Sequence, residues 1–265
     1  MAEISHTRIQ ECRRRAHEIL HKLHVEAPDE IDLETIAWKV GRLEIQYGGI
    51  INCDGRIIAS STGGGRIRVR DSGSHGRQRF TIAHEIGHFV LHPSPQIDKD
   101  DGPSEFTMWH NEGEEAEANS FAAELLMPEF LVITMAKKME PSLALVDELA
   151  ETFTTSVLAS AIQYINYTNE QVALVMSKGK TIQWRKHAKN FWTRVRIGQL
   201  SPDSAAGARL DGRASDSNGM VVSPAYAWLS DYEYDREHDI MEDSRYRDYY
   251  ARTITLLWLK DDLEE

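Results

Sequence analysis

Apolar residues at the start of the chain recur every three to four positions. Ile4, Ile9, Ala16, Ile19, Leu20 and Leu23 predict an amphipathic helix over residues 5–24. Asp32 is placed to cap a second short helix, Leu33–Val40, with Gly41 just past its end. The period then shortens. Leu43–Ile51, Arg56–Ser60 and Arg66–Arg70 read as short strands, with Asp54-Gly55 a hairpin turn signal and Gly63-Gly64-Gly65 a looser second turn. Helical spacing returns over 77–91 and stops at Pro93 and Pro95. A polar loop from Ser94 to about Asn111 leads to a helix from Glu112 to Met127, ended by Pro128. Residues 143–168 predict two more short helices. From Gln171 the pattern is strand-like again, with Val172–Met176 and Thr181–Trp184 on either side of Lys178-Gly179. Residues 201–219, rich in Ser, Gly, Ala and Asp, read as a flexible connection, and Thr253–Leu259 as a last strand before an acidic tail. No internal repeat is visible. The succession predicts an α+β protein.

Composition narrows the function classes. The 265 residues are 41% hydrophobic and 27% charged, which is ordinary globular usage. Lys and Arg total 30 against 42 Asp and Glu, a net charge of -12, so the whole surface is not one that coats duplex DNA. Two cysteines, Cys12 and Cys53, make no disulfide framework and point to a reducing compartment. No basic start runs into an apolar stretch, and no apolar run approaches the roughly 18 residues of a membrane span. Phe121–Ala136 comes nearest and is broken by Glu124, Pro128 and Glu129. The expectation is a soluble cytoplasmic protein.

The strongest chemical signal is His84-Glu85-Ile86-Gly87-His88. Histidines at i and i+4 project from one helix face, so both imidazoles can reach one Zn²⁺, with the glutamate between them placed to take a proton from an activated water. The surrounding Phe80, Ile82, Ala83, Ile86, Phe89, Val90 and Leu91 predict a buried helix, where two histidines and a glutamate need partners. Gly87, costly inside a helix, signals close backbone approach. A catalytic zinc wants a third protein ligand, and the acidic run after Glu112 offers it. Most of those glutamates fit a solvated first turn. Glu115 differs because Asn119 lies one turn on, on roughly the core side, to support it; Glu117 is the alternative.

The stretches Arg79–His88 and Glu115–Pro128 together resemble the ImmA/IrrE family of bacterial and phage metallopeptidases, over roughly residues 10–165. The resemblance implies a zincin-like metallopeptidase domain, with His84, His88 and Glu115 as zinc ligands and Glu85 as catalytic base. It also implies a substrate: a partner helix-turn-helix repressor, whose cleavage releases stress, mobile-element or antiphage defence genes. The expected organisation is that domain over 1–137, a small helix-turn-helix-like segment over 138–169, and a C-terminal mixed α/β sensor domain over 170–265.

Three further features remain. Leu149–Ile162 has the look of a helix-turn-helix core, but residues 139–177 carry no Lys or Arg for phosphates, so bracing or substrate reception suits it better than DNA reading. Residues 171–202 contain no Asp or Glu and hold Lys178, Lys180, Arg185, Lys186, Lys189, Arg194 and Arg196, with Trp184 and Trp192 among them. Charge plus aromatic platforms suits single-stranded DNA as an activator, and a solvated β-ribbon explains the same composition. Cys53, just before the expected turn, is either a small buried hydrophobe or a thiolate that closes the open zinc position at rest. The rival class is a non-catalytic, zinc-containing regulator that binds DNA or a repressor.

Overall fold

The computed structural model describes residues 5–50, 53–59, 64–71, 73–92, 113–214, 219–232 and 237–260. They form two compact units: residues 1–131 with 150–156, and residues 132–149 with 157–265. The helices expected as a separate segment at 138–169 are shared between these two. Among the described residues no helix is long and apolar enough to cross a membrane. The expected loop at 94–111 and the acidic tail lie outside the described residues.

The first unit packs helices on one face of a three-stranded sheet. Helix α1 (His6–Lys22) starts at Ser5, whose hydroxyl accepts from the Arg8 amide, and buries Cys12, Ala16 and Leu20, one turn apart. Asp32 caps α2 (Leu33–Gly41) as its sequence predicts, accepting from the Glu34 amide at 3.1 Å. The left-handed residue that ends α2 is Arg42, not Gly41. Gly41 is needed for another reason: a Cβ there would stand 2.3 Å from the Phe89 ring.

Strands β1 (Leu43–Gly48), β2 (Gly55–Ala59) and β3 (Gly65–Arg70) follow, in the order β1-β3-β2. The hairpin expected at Asp54-Gly55 does not form, because β1 pairs with β3 in parallel and never touches β2. β2 and β3 are antiparallel, and Gly64, just before β3, has a positive φ of +81°; the rest of the second expected turn, residues 60–63, lies outside the described residues. Leu43, Ile57, Ile67 and Val69 are buried while Glu44, Arg66 and Arg68 face water, the alternation of a sheet covered on one side. Helix α3 (His75–Leu91) packs against β2 and β3, and α4 (Gly113–Leu126) lies on α3 and α1.

Two short helices, α5 (Glu129–Ala136) and α6 (Leu143–Phe153), run across the division between the units. In the second unit α7 (Val157–Tyr167) packs on a six-stranded antiparallel sheet. Its strands are β4 (Val172–Lys178), β5 (Thr181–His187), β6 (Gly198–Gln199), β7 (Val221–Pro224), β8 (Asp239–Arg247) and β9 (Arg252–Trp258), in the order β6-β5-β4-β9-β8-β7. Ala173, Val175 and Leu257 pack with Trp228, Leu229 and Ile240 on one face, and the alternate residues Leu174, Ile254 and Leu256 are as deeply buried.

The stretch read as flexible, 201–219, contains helix α8 (Ala205–Leu210), and a single turn, α9 (Ala225–Trp228), follows β7. Glu242 on β8 explains α8. Its fully buried carboxylate accepts from the Ala205 and Ala206 amides at 2.9 and 2.7 Å, and from Ser223, Ser244 and the Trp228 indole. A carboxylate on two free amides of a helix start stabilises a helix its own composition would not hold. Its neighbour Asp243 accepts from the Leu143 amide at the start of α6, 2.9 Å away.

Candidate metal centre

Helix α3 is buried continuously from Thr81 to Gly87, which makes it the central helix of its unit. His84 and His88 stand one turn apart on it, their Nε2 atoms 3.0 Å from each other. Across from them α4 presents Glu115, with Oε2 3.2 Å from His84 Nε2 and Oε1 3.2 Å from His88 Nε2. The expected close approach at Gly87 is what permits this. A Cβ at Gly87 would lie 3.1 Å from the Phe121 ring and 3.2 Å from the Ala118 backbone, so the two helices touch backbone to backbone. Glu115 is three residues before that contact, on the side of the histidines.

Asn119 supports the pair as its spacing suggested. Its side-chain oxygen is 2.9 Å from His84 Nδ1, so Nδ1 carries the hydrogen and donates it, leaving the Nε2 lone pair free for a cation. Burial alone would raise the Glu115 carboxyl. When the two imidazoles are protonated, their hydrogen bonds and charge outweigh it and hold that carboxyl well below the usual carboxylate range. Glu117, the alternative ligand, turns away to Arg8 at 2.6 Å and lies 3.9 Å from His92 Nδ1.

Among the described residues, His84, His88 and Glu115 are the group whose ligand atoms converge, all within 4.8 Å of one another. Zinc bonded tetrahedrally at 2.0–2.1 Å holds its ligand atoms about 3.3 Å apart. Separations of 3.0–3.2 Å therefore fit such an ion, and two neutral imidazoles with one carboxylate are a donor set it accepts.

Glu85 lies on the same helix, buried to 3% exposure. Strand β2 begins directly against it: a Cβ on Gly55 would meet Thr81 Cγ2 at 2.2 Å and Glu85 Oε1 at 3.1 Å. This segment is tied down by Arg77, whose guanidinium donates twice to Asp54, and by Arg70, which donates to the Cys53 carbonyl at 2.6 Å. Sequence reading missed this clamp, and it missed the Arg8–Glu117 tie between α1 and α4. Cys53 itself is fully buried, and its sulfur is not among the converging ligand atoms.

The pattern of His84–His88 also occurs at His17-Glu18-Ile19-Leu20-His21, on α1. There the histidines are exposed, and no third ligand joins them among the described residues.

The other expected elements are dispersed. The turn between α6 and α7 sits on α3, with the Thr154 carbonyl 2.9 Å from where a Gly76 Cβ would be. Helix α7, the position of a recognition helix, buries Leu158, Ser160, Gln163 and Tyr164, so it has no polar face ready for a groove. The basic stretch is divided. Lys178 and Lys180 flank the β4–β5 turn, and Lys180 pairs with Asp211. Strand alternation sends Arg185 to the face opposite Trp184 and Lys186. Lys189, Trp192 and Arg194 are exposed beyond β5, and Arg196 donates to the Tyr226 carbonyl at 2.9 Å.

No curated protein matches the chain. A Mycobacterium tuberculosis transcriptional regulator shares the fold, with a TM-score of 0.59 and 13% identity, over 94% of this chain and 76% of that one. Residues 52–163 match the model of the IrrE N-terminal-like domain, Peptidase M78, a span that holds His84, Glu85, His88 and Glu115. That match supports an ImmA/IrrE-family domain within this chain.

Proposed function

We propose that this chain is a zinc-dependent endopeptidase that cleaves a partner helix-turn-helix transcriptional repressor, releasing stress, mobile-element or defence genes. The observation that carries the reading is the convergence of His84, His88 and Glu115 at 3.0–3.2 Å beside the buried Glu85. Bound by those three residues, zinc supplies Lewis-acid activation of a water and of the scissile carbonyl. Asn119 keeps His84 in the tautomer a ligand needs. Glu85 takes the water's proton at a carboxylate oxygen and returns it to the departing amine. β2 is one edge of its sheet and starts against Glu85, so the substrate lies along it as an added strand. The regulatory setting agrees with the name of the neighbour of similar fold.

The trigger in this reading is single-stranded DNA, taken up by the acid-free stretch 171–202. One pairing between that stretch and the acid-rich end of the chain, Lys180 with Asp211, supports a resting state that DNA would compete with. The test incubates the zinc-loaded chain with its purified partner repressor, with and without a single-stranded oligonucleotide, and reads products by mass spectrometry. Cleavage by wild type, stimulated by DNA and lost in Glu85→Gln at equal zinc content, is expected. Equal cleavage by Glu85→Gln overturns the mechanism. Equal cleavage without DNA removes the trigger. An intact repressor under all conditions favours the non-catalytic regulator.

A further inference from the structure

We infer that a cleft in the second unit binds a nucleotide, through a stacked base and a lysine-held phosphate. The cleft has a volume of about 800 Å³ and lies between the segment after α5, the start of β4, the loop after β5 and the end of β9. That is the size range of sites that hold small ligands.

Its chemistry selects the ligand. Trp192 lines it at the rim, with 63% of its surface exposed. Trp258 also lines it, and Lys260 stands over that ring, its Nζ 5.1 Å from the centroid. Lys137 and Lys138 add two more ammonium groups from a distant part of the chain. Three lysines against Glu140 and Glu170 leave a positive balance in a molecule whose net charge is -12, so chain composition does not account for it. Glu140 pairs with Lys260 at 3.1 Å but is largely exposed, and an incoming phosphate can displace it. Asn190 and Asn169 lie at the same rim, the Asn190 side-chain amide donating to the Asn169 main-chain carbonyl at 2.9 Å. An aromatic plane recognises a base, ammonium groups recognise a phosphate, and amides recognise base edges. Purely apolar ligands find too many charges here, and a bare inorganic anion makes no use of the tryptophan.

The cleft also changes the picture of the basic stretch. Of the basic and tryptophan residues singled out in that stretch, only Trp192 lines it, beside lysines from outside the stretch.

The experiment measures binding to the whole chain, without repressor, by calorimetry and by competition against a labelled oligothymidylate. The probes are single-stranded oligothymidylate, thymidine monophosphate, thymidine and inorganic phosphate. Trp192→Ala should weaken the base-containing phosphates at least about fivefold. The double variant Lys137→Glu/Lys138→Glu should weaken them and flatten the salt dependence. Both positions are exposed, and circular dichroism verifies that each variant is folded. Monophosphate binding identifies a free nucleotide as the ligand, and binding by the oligonucleotide alone identifies a strand. Absence of saturable binding by both overturns the proposal, as does unchanged affinity in both folded variants. Inorganic phosphate that binds as tightly as the monophosphate overturns the base-recognition half. The measurement involves no peptide cleavage, so its failure leaves the peptidase reading standing, and the reverse holds.

Discussion

Helices α1 and α3 carry the same spacing of two histidines around a glutamate, and among the described residues only α3 contributes to a candidate metal centre. On α1, His17 and His21 point to solvent beside Arg14 and Lys22, two cations that oppose a third. Glu18 is engaged by Arg14 and by Arg15 at 3.6 Å, and the His17 ring leans on Phe130. The buried face of α1, Cys12, Ala16 and Leu20, is the other one, and it is apolar. On α3 the histidines are on the buried face, where α4 brings Glu115 to 3.2 Å of each and Asn119 fixes one imidazole. Spacing supplies two ligands. Burial, a facing carboxylate and an orienting hydrogen bond supply the rest.

The sharpest way to break this comparison is to remove ligands from each helix. His84→Ala, His88→Ala or Glu115→Ala should lower zinc affinity by more than about a hundredfold, beyond the 10- to 100-fold typical of outer hydrogen-bond partners. His17→Ala/His21→Ala should leave one zinc per chain, as metal analysis after dialysis will show. Two zincs in wild type, or zinc lost from the α1 double variant, would sink the contrast. The next largest effect separates the two glutamates. If the chain cleaves a repressor as proposed, Glu85→Gln should lower that cleavage by about 10² to 10⁴ with zinc retained, because the amide accepts no proton at neutral pH. Glu18→Gln should leave the rate unchanged, since Glu18 faces arginines on the surface of α1.

Much of this centre was legible because its signals are local. The two histidines, Glu85 and Gly87 lie within one helix turn of each other, and Glu115 with Asn119 repeats that spacing on the next helix. Apolar periodicity placed α1, α2, α3 and α4 to within a few residues for the same reason. What failed was non-local. Asp54-Gly55 looks like a turn, but the parallel pairing of β1 with β3 gives Gly55 a different task, close passage against Thr81 and Glu85. Helix α8 was hidden because the carboxylate that stabilises its start, Glu242, lies 36 residues beyond Ala206. The cleft at Trp192 is assembled from four separated segments, so no window of sequence contains it.

Asn119 sharpens the comparison at a smaller scale, since among the described residues no such amide hydrogen-bonds His17 or His21 on α1. Asn119→Ala removes the acceptor on His84 Nδ1 and frees the ring to rotate or to present the wrong nitrogen. Zinc affinity should fall about 10- to 100-fold, with stoichiometry kept at saturating metal. Competition with a chelator measures it. An unchanged affinity would mean that packing alone, against Phe80 on one side and His88 on the other, orients His84.

The smallest effect concerns the residue just before the second histidine, glycine on α3 and leucine on α1. Leu20 is fully buried and fills its surroundings by side chain, whereas Gly87 lets α4 come to backbone contact. Gly87→Ala therefore has two opposed consequences. Helix propensity gains about 1 kcal/mol. Against it, the new methyl stands 3.1 Å from the Phe121 ring and 3.2 Å from the Ala118 backbone, so α4 must give by a few tenths of an ångström. Glu115 moves with α4, and carboxylate geometry matters to a cation more than to the core. The expected outcome is a melting temperature of the metal-free protein changed by only a few degrees, with zinc affinity lowered about tenfold. Leu20→Ala should do the converse, destabilising the fold by about 2–5 kcal/mol as a buried leucine does while leaving zinc affinity unchanged. If Gly87→Ala raises the melting temperature and binds zinc as wild type does, the close helix contact is not what brings Glu115 into reach.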